Sequence, residues 1–454
     1  MREIVTIQVG QCGNQVGDQF WDLICKEHNI GSDGHKSNLK DGEEISGRTE
    51  VFFHELQDQK YVPRTTLIDL EPGPLDAIRG GPNGLLYRPD NFVYGSGGAG
   101  NNWATGFMTK GASKVNEIFD ILRKEAESAD CLQGFQLFHS LGGGTGSGLG
   151  TLILNLLREE YPDRIFSCVS VLPSPKVSDI VVEPYNSLLA MDQLIEWSDE
   201  VFCMDNEALY NICTRNFKYK KVSYQNLNSL IAQTLSGVTT TLRFPGQLNS
   251  DLRKLAVNMI PFPRLHFFMA GLAPLRSSAS QAFYTESVEE ITRDLFEGKN
   301  IMCACNPSAG RYLTFAAMFR GQVEMREVEE AIMKMQHKHS GLFVEWIPNN
   351  AKVSVCNAPP LGQKIGASFL ANNTALQDVM QRIRDQFCKM FKRKAFVHWY
   401  TNEGLDPLSF NDASSNLSDL IAEYQQYTEE AVDSKVLDGN LDDSLEDLDS
   451  GFGI

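Results

Sequence analysis

The residues of this chain best suited to chemistry form a glycine-rich run, Gly142–Gly148, in which five glycines surround Thr145 and Ser147. Glycine permits backbone conformations that other residues avoid, so successive amide N–H groups can curl around one anion. The two hydroxyl groups add further hydrogen-bond donors. The run therefore predicts a loop that holds phosphate.

Two flanking segments must position this loop. The apolar stretch Phe135–Leu141 predicts a buried strand, and residues 151–160 have the apolar spacing of a helix. The N-terminus of a helix points free N–H groups and a partial positive charge at a bound anion. No lysine follows the run, which excludes a Walker-type phosphate loop, and its spacing also differs from the dinucleotide pattern G-x-G-x-x-G.

A second glycine-rich segment, Gly95–Gly100, does match G-x-G-x-x-G and also precedes a helix-like segment. A single match is weak evidence, because glycine-rich turns without a ligand give the same pattern. Two such loops, each between a strand and a helix, favour a nucleotide site. A dinucleotide-binding enzyme such as a dehydrogenase stays an alternative, although the chain lacks a suitably placed acid for a dinucleotide ribose.

Composition narrows the class of protein. The chain has 454 residues, of which 42% are hydrophobic and 22% charged, as expected for a soluble protein of two or three domains. No apolar run approaches the ~18 residues of a membrane span, and the N-terminus does not resemble a signal peptide. The ten cysteines form no C-x-x-C pair, which favours free thiols in a reducing cytosol. A net charge of −17 argues against nucleic acid as a partner.

Up to Asp205, apolar strands alternate with helical segments, which predicts a parallel sheet within an α/β fold. Ligands of such sheets bind at the carboxyl ends of the strands, where both glycine loops lie. A long helix at Leu227–Arg243 and a second mixed α/β region follow. The strands that we expect include Ile4–Val9, Thr65–Asp69, Phe135–Ser140, Ile165–Leu172, Leu265–Met269 and Thr314–Phe319. The expected divisions are 1–205 for a nucleotide-binding domain, 206–381 for the core helix and an intermediate domain, 382–428 for C-terminal helices and 429–454 for a disordered acidic tail.

The tail follows an amphipathic helix expected at Ser414–Tyr427. From Glu429 onward it holds nine acidic residues and one lysine, a composition that attracts basic partners. Four leucines recur among the acids at helical spacing, which supports the hypothesis that the tail folds as a helix in a partner groove. A solubilising spacer is the alternative. The leucines are Leu437, Leu441, Leu445 and Leu448.

Several strings of the chain together resemble the tubulin family over about residues 1–428. The opening Met1–Ile4 and the short connection Ala358–Gly362 resemble the β class of that family. The strings that carry the resemblance are residues 10–15, 69–73, 97–103, 142–148, 173–179, 205–210 and 244–249.

The resemblance implies a GTP-binding fold with GTP or GDP and Mg²⁺ as ligands. The phosphate loops would use Ser140, Gly142, Gly143, Gly144, Thr145 and Gly146 for the α- and β-phosphates, and Gly98, Ala99, Gly100 and Asn101 for the γ-phosphate. The remaining nucleotide contacts would be Gln11 and Cys12 near the phosphates and base, Asp179 and Glu183 at the ribose, and Asn206, Asn228 and Tyr224 at guanine. Asp69 and Glu71 would organise Mg²⁺ through water, with Glu71 and Gln11 as its nearest protein ligands.

The resemblance also implies that the chain has no catalytic residue in cis. Lys254 occupies the position of a glutamate that in α-tubulin positions the hydrolytic water of the next subunit. A lysine ammonium group can neutralise phosphate charge, but it is a poor general base. This chain would then bind exchangeable GTP that is hydrolysed when an α subunit docks, and its own Lys254 would leave the GTP of the α subunit intact. A solvated basic pair, Arg253 and Lys254, is the alternative.

The implied partners are α-tubulin in a heterodimer and lateral β-tubulin neighbours in a microtubule, with microtubule-associated and motor proteins as further candidates. The implied location is the cytoplasmic cytoskeleton, including the axoneme as one of its arrays. A nucleating γ-like tubulin is the alternative class. The lateral-contact loop, residues 274–284, departs from the usual pattern at Ser278, Ala279 and Phe283, so we expect altered lateral affinity and drug response.

Overall fold

A computed structural model describes residues 2–36, 47–246, 251–276 and 287–446, with side chains as far as Glu429. The strands are β1 (Glu3–Val9), β2 (Phe53–Glu55), β3 (Tyr61–Pro63), β4 (Thr65–Asp69), β5 (Phe92–Tyr94), β6 (Leu132–Ser140), β7 (Ile165–Leu172), β8 (Glu200–Asp205), β9 (Phe267–Ala273), β10 (Tyr312–Gly321), β11 (Ala351–Cys356) and β12 (Ile365–Asn373). The helices in the described ranges are α1 (Gly10–Glu27), α2 (Pro72–Arg79), α3 (Val115–Glu127), α4 (Gly150–Glu160), α5 (Glu183–Trp197), α6 (Asn206–Arg215), α7 (Tyr224–Arg243), α8 (Leu252–Met259), α9 (Val288–Phe296), α10 (Met325–Lys338), α11 (Gln377–Phe391), α12 (Val397–Thr401) and α13 (Pro407–Glu446).

Ten of the strands form one sheet in the order β11-β10-β12-β9-β8-β7-β6-β1-β4-β5. Within this sheet, as far as the chain is described, only β12 runs antiparallel to the others. The prediction of a parallel sheet in an α/β fold is therefore confirmed. Its seven-strand segment from β5 to β9 is entirely parallel, so the carboxyl ends of these strands share one edge.

Helices cover both faces of the sheet, because the strands are apolar on both sides and all seven residues of β1 are buried. Side chains of α1, α2, α6, α7 and α8 pack in one core cluster. Those of α3, α4, α5 and α9 to α13 pack in the other. In the described ranges, no helix combines the length and the apolar character needed to cross a lipid bilayer.

The second mixed region continues the first sheet, because β9 pairs in parallel with β8 over Val201–Cys203. The expected strands at Leu265–Met269 and Thr314–Phe319 fall at β9 and β10, with shifted ends. The paired residues, such as Val201 and Phe267, are 66 positions apart in sequence, so no local pattern could predict the pairing. The division of the chain into domains stays a prediction.

The last helix is longer than the expected Ser414–Tyr427, since its backbone runs from Pro407 to Glu446. Proline suits the first turn of a helix, and no proline follows Tyr427 to stop it. Side chains after Glu429 and the whole of 447–454 lie outside the described part. The disordered character of the tail, its partner-binding role and its leucine face therefore stay predictions. Residues 277–286 also lie outside, so the effects expected of Ser278, Ala279 and Phe283 stay predictions.

Candidate nucleotide site

A cavity of about 300 Å³ opens at the edge of the sheet where β1, β4, β6 and β7 end. Strands of one direction bring their following loops to this edge, and the first turns of α1, α5, α6 and α7 complete the walls. Seventeen of the predicted nucleotide-binding residues line the cavity: Gln11, Cys12, Asp69, Glu71, Ala99, Gly100, Asn101, Ser140, Gly142, Gly143, Gly144, Thr145, Gly146, Glu183, Asn206, Tyr224 and Asn228. That these residues bind a nucleotide stays a prediction.

Two predicted residues do not form part of the wall. Gly98 lies just behind it with a left-handed φ of 56°, and a Cβ there would lie 2.2 Å from an oxygen of Glu71. Asp179 is exposed to solvent, whereas its neighbours Ser178 and Ile180 line the cavity. Besides these two neighbours, five residues to which sequence reasoning assigned no role line the cavity, although three of them lie within strings that carry the resemblance. They are Gly10, Gln15, Pro74, Val171 and Pro173.

The two glycine loops touch each other, and this contact explains two of the glycines. A Cβ at Gly144 would lie 2.7 Å from both the Cβ of Ala99 and the backbone nitrogen of Asn102. At the start of α1, Gly10 has a φ of 76°, and a Cβ there would lie 2.9 Å from the nitrogen of Gly146. Side chains at these positions would force the loops apart. The glycines therefore allow three backbone segments to converge on one cavity.

The Gly142–Gly148 loop leads directly into a helix, so its amide groups lie at a helix N-terminus. Residues Thr145–Leu149 form a π-helical turn that continues as α4. Buried His139 holds this turn in place, because its Nδ1 lies 2.9 Å from the Gly146 carbonyl and its Nε2 lies 2.8 Å from the Ser170 hydroxyl. Burial lowers the pKa of His139 to about 4. The neutral ring therefore donates from Nδ1 and accepts the Ser170 proton at Nε2.

Asn186 bonds to the segments of both glycine loops, and sequence reasoning missed it. Its side chain is fully buried on α5, and its Nδ2 donates to the carbonyls of Asn101 at 2.8 Å and Gly142 at 2.9 Å. Its Oδ1 accepts from the N–H of Trp103 at 3.0 Å and the hydroxyl of Tyr400 at 2.7 Å. One amide therefore binds one carbonyl of each glycine loop. Its only sequence signal is an asparagine among largely apolar residues of a helix.

Three acidic side chains reach the cavity wall. Burial raises the pKa of Asp69 to about 6, and its Oδ1 accepts the Glu71 N–H at 3.2 Å. The other oxygen of Asp69, Oδ2, is buried and has no hydrogen-bond partner in the described structure. Burial also raises the pKa of Glu183, although a hydrogen bond with Ser178 opposes that shift. A buried carboxylate that lacks a partner favours a positive charge beside it.

These carboxylates fit a hydrated Mg²⁺ ion better than a cation enclosed by protein. Mg²⁺ prefers carboxylate and amide oxygens and usually keeps several waters, and Asp69, Glu71 and Gln11 offer such oxygens in one wall. Among the described residues, no group of three or more His, Cys, Asp or Glu side chains could hold a metal ion. Water and phosphate oxygens would therefore have to supply most ligands.

The end of the cavity away from the glycine loops, where α6 and α7 begin, suits a flat base. Asn206 begins α6, where the preceding Asp205 caps the helix by accepting the Glu207 N–H at 2.9 Å. Arg382 secures this cap with a 2.7 Å bond to Asp205. Tyr224 begins α7 with a ring that is 58% exposed, and Asn228 lies one turn further on the same face. Two amides and an aromatic ring can pair with the edge of a base and stack on its face.

Lys254 lies at the opposite edge of the sheet from this cavity. It belongs to α8, whose first N–H, that of Leu252, is donated to Gln133 at the start of β6. The neighbouring Arg253 donates to the carbonyl of Asp163 just before β7, at 2.6 Å. From Gln133 to Ser140, β6 spans about 23 Å. The Lys254 side chain is 59% exposed and lies 3.9 Å from Asp251, so it does not contact the cavity of its own chain.

Comparison with protein-family models agrees with this geometry. Residues 3–214 match the GTPase domain of the Tubulin/FtsZ family, and residues 263–385 match the tubulin C-terminal domain. The first match includes every residue of the cavity wall except Tyr224 and Asn228. It favours a guanine-nucleotide GTPase over the dinucleotide-binding enzyme that Gly95–Gly100 left open. The two matches together cover about three quarters of the chain, which therefore belongs to the tubulin family.

Proposed function

We propose that this chain is a β-class tubulin subunit that pairs with α-tubulin and polymerises into microtubules of the cytoplasmic cytoskeleton. The observation that carries the proposal is the separation of its two functional ends. The nucleotide cavity lies at the carboxyl edge of the sheet, whereas Lys254 lies at the amino edge. Head-to-tail stacking would set the amino edge of one subunit over the cavity of the next.

Exposed apolar side chains at both edges support stacking. On α8, Val257 is 74% exposed and lies three residues from Lys254, so the two share a face of the helix. Beside the cavity, Trp399 is 57% exposed and Phe396 is 41% exposed. Head-to-tail stacking would remove these exposed apolar side chains from water. Two different surfaces that join head to tail generate a ring when the rotation closes and an open filament when it does not.

The cavity would hold GTP by contacts that its own residues supply. The amide groups of Gly142–Gly146 and the hydroxyl of Thr145 would bind phosphate oxygens, and Asn206 and Asn228 would read the guanine edge. Asp69, Glu71 and Gln11 would hold Mg²⁺ partly through water, and the ion would neutralise phosphate charge. Asp179 and Glu183 would flank the ribose.

Hydrolysis would require a group from the neighbouring subunit. Of the acidic side chains in the wall, Asp69 and Glu71 would serve Mg²⁺ and Glu183 would serve the ribose, which leaves none to position a water. The docked α-tubulin glutamate would take that role. At the other end, the Lys254 ammonium of this chain has no lone pair that could accept a proton from water. The GTP of the α-tubulin subunit that Lys254 faces would therefore stay intact.

The experiment that tests this proposal is co-expression of the full chain with α-tubulin. We expect a one-to-one complex that pellets as polymer with GTP and hydrolyses GTP faster when assembled than as a dimer. A dimer that hydrolyses as fast as the polymer would contradict completion of the site in trans. A chain that promotes assembly at substoichiometric amounts without entering the lattice would instead indicate the γ-like nucleator.

A further inference from the structure

The Asn186 side chain has no spare hydrogen-bonding capacity. An amide offers two N–H donors and an oxygen that commonly accepts two bonds, and all four bonds are made, at 2.7–3.0 Å. Asn186 is fully buried, so water cannot replace a hydrogen-bond partner that moves away. Movement of any one of the four partners must therefore move Asn186 or break a bond. The amide couples the positions of the glycine loops to that of Tyr400.

Those bonds also determine which way a phosphate-binding amide points. The carbonyl of Gly142 is directed at Asn186. Because a trans peptide unit is planar, its C=O and N–H point in opposite directions. The N–H of Gly143 is therefore directed away from Asn186, on the side of the cavity that Gly143 lines. A change at Asn186 would reorient this donor without any change in the loop sequence.

The fourth partner of Asn186 belongs to a different part of the chain. Tyr400 lies on α12, is 1% exposed and packs its ring 5.5 Å from that of Tyr185. Tyr185 itself donates from its hydroxyl to the carbonyl of Ala395 at 2.7 Å, just before α12. Two consecutive residues of α5 thus fasten α12 and the segment before it to the interior of the nucleotide-binding region.

The same short helix carries exposed apolar surface and further bonds to the segment that follows the Gly95–Gly100 loop. Trp399 and Phe396 face solvent, while the carbonyl of Trp399 accepts a 3.0 Å bond from the side chain of Asn102. Just after the helix, Glu403 accepts a 2.7 Å bond from the hydroxyl of Thr109. α12 therefore connects an exposed docking surface to the segment 101–109 directly and to Gly142 through Asn186.

We propose that Asn186 and Tyr400 form a bridge that transmits docking of the next subunit on Phe396 and Trp399 to the two glycine loops. This inference rests on the head-to-tail assembly proposed above. Pressure on α12 shifts Tyr400, Asn186 follows, and the carbonyls of Asn101 and Gly142 move together. Both residues act on hydrolysis by positioning the loops. The bridge makes the nucleotide contacts of an assembled subunit differ from those of a free one.

The test compares GTP hydrolysis of free and assembled subunits that carry Tyr400→Phe. The substitution keeps the packed ring and leaves Asn186 Oδ1 bonded to Trp103, so no buried acceptor is orphaned. We expect the ratio of assembled to free hydrolysis rates to fall about three- to tenfold, the effect of one lost hydrogen bond. The matched control is Tyr424→Phe, a buried tyrosine of α13 outside the bridge, for which we expect an unchanged ratio.

A second variant keeps the proposal open to refutation if Tyr400→Phe fails to fold. Thr109 is exposed, and Thr109→Val removes its bond to Glu403 together with a local bond to the carbonyl of Thr105 one turn earlier, so a smaller fall in the same ratio is expected. GTP affinity and the thermal midpoint of the free complex are measured alongside, since a merely structural defect would change these and not the ratio. With normal stimulation in the unsubstituted protein, an unchanged ratio in Tyr400→Phe overturns the bridge, and if that variant does not fold, an unchanged ratio in Thr109→Val does so. Absence of stimulation in the unsubstituted protein overturns the proposed function instead.

Discussion

Glu200 provides a prediction that does not depend on nucleotide. It begins β8, is fully buried, and both of its carboxylate oxygens lack a hydrogen bond of normal geometry within the described structure. Burial, with a smaller contribution from the charge of Asp199, raises its pKa to about 8, and the nearby Ser167 hydroxyl only partly opposes this. With that pKa, about nine tenths of the molecules carry a protonated Glu200 at pH 7.

The neighbouring strands explain why the neutral acid is preferred. Glu200 lies beside Ser167 in register, Ser167 beside Gln136, and Gln136 beside Thr6. These four side chains are buried, and each has at least one polar atom without a partner in the described part of the chain. None of them is a cation that could stabilise a carboxylate, whereas a protonated carboxyl can donate to a neighbouring oxygen.

The predicted perturbation is Glu200→Gln, which copies the neutral acid. In the folded state the pKa of Glu200 is about 8, above its ordinary value of 4.5. Between pH 4.5 and about pH 8 the folded state therefore binds more protons than the unfolded state. The protonated side chain contributes its full stabilisation below pH 4.5. As pH rises from there to about pH 8, the free energy of unfolding falls by about 1.4 kcal/mol per pH unit. The variant lacks this slope, so its stability advantage over the parent should grow across the same window.

The assay has two parts. Infrared difference spectroscopy of the full chain in its purified complex should show, at pH 7, a protonated-carboxyl carbonyl band that is lost in Glu200→Gln. Thermal inactivation should show that the difference in stability between the variant and the parent increases from pH 6 to about pH 8. The control is Glu117→Gln, whose parent side chain is 52% exposed and should contribute neither effect. A missing band together with a constant gap would show that Glu200 is ionised in the fold.

Three further predictions concern the site. Lys254→Glu should allow hydrolysis of the nucleotide held by the partner subunit, and intact GTP there after assembly would contradict the trans assignment. Asp69→Asn should raise the Mg²⁺ concentration needed for tight GTP binding about tenfold or more, while Mg²⁺-free binding changes less; equal loss in both titrations would argue against a metal role. Asn206→Asp keeps an acceptor for the N–H groups of guanine but removes the amide donor that would face its O6 oxygen, so GTP affinity should fall about tenfold or more. An unchanged GTP affinity would remove Asn206 from base recognition.

Much of the fold and most of the cavity could be predicted because the relevant information is local. Apolar runs such as Ile4–Val9 and Ile165–Leu172 correspond to β1 and β7, and the glycine loops follow strands as expected. What a motif identifies, however, is the loop backbone and not the side chains that hold it. His139 and Asn186 perform that task from β6 and α5, and an isolated polar residue in an apolar segment does not reveal its partners.

Contacts between distant segments account for the rest of what sequence reasoning missed. The bond from Tyr400 to Asn186 joins residues 214 positions apart, and that from Arg382 to Asp205 joins residues 177 apart. Both depend on the packing of α11, α12 and α13 against α5, for which no single segment carries a signal. α13 is also longer than the predicted Ser414–Tyr427, because helix-breaking residues indicate a boundary only where they occur.

The direction of the strands ties these observations together. Seven adjacent strands from β5 to β9 are parallel, so every loop that follows one lies at the cavity edge and every segment that precedes one lies at the other. α8 contacts residues at the starts of β6 and β7, which forces Lys254 about one strand length from its own cavity. In the proposed head-to-tail assembly, the residue at position 254 would therefore face the nucleotide of a neighbouring subunit and not that of its own chain. If the chain hydrolysed GTP at its full rate without a neighbour, the catalytic group would have to lie among the wall residues, and Glu183 would be the first to substitute.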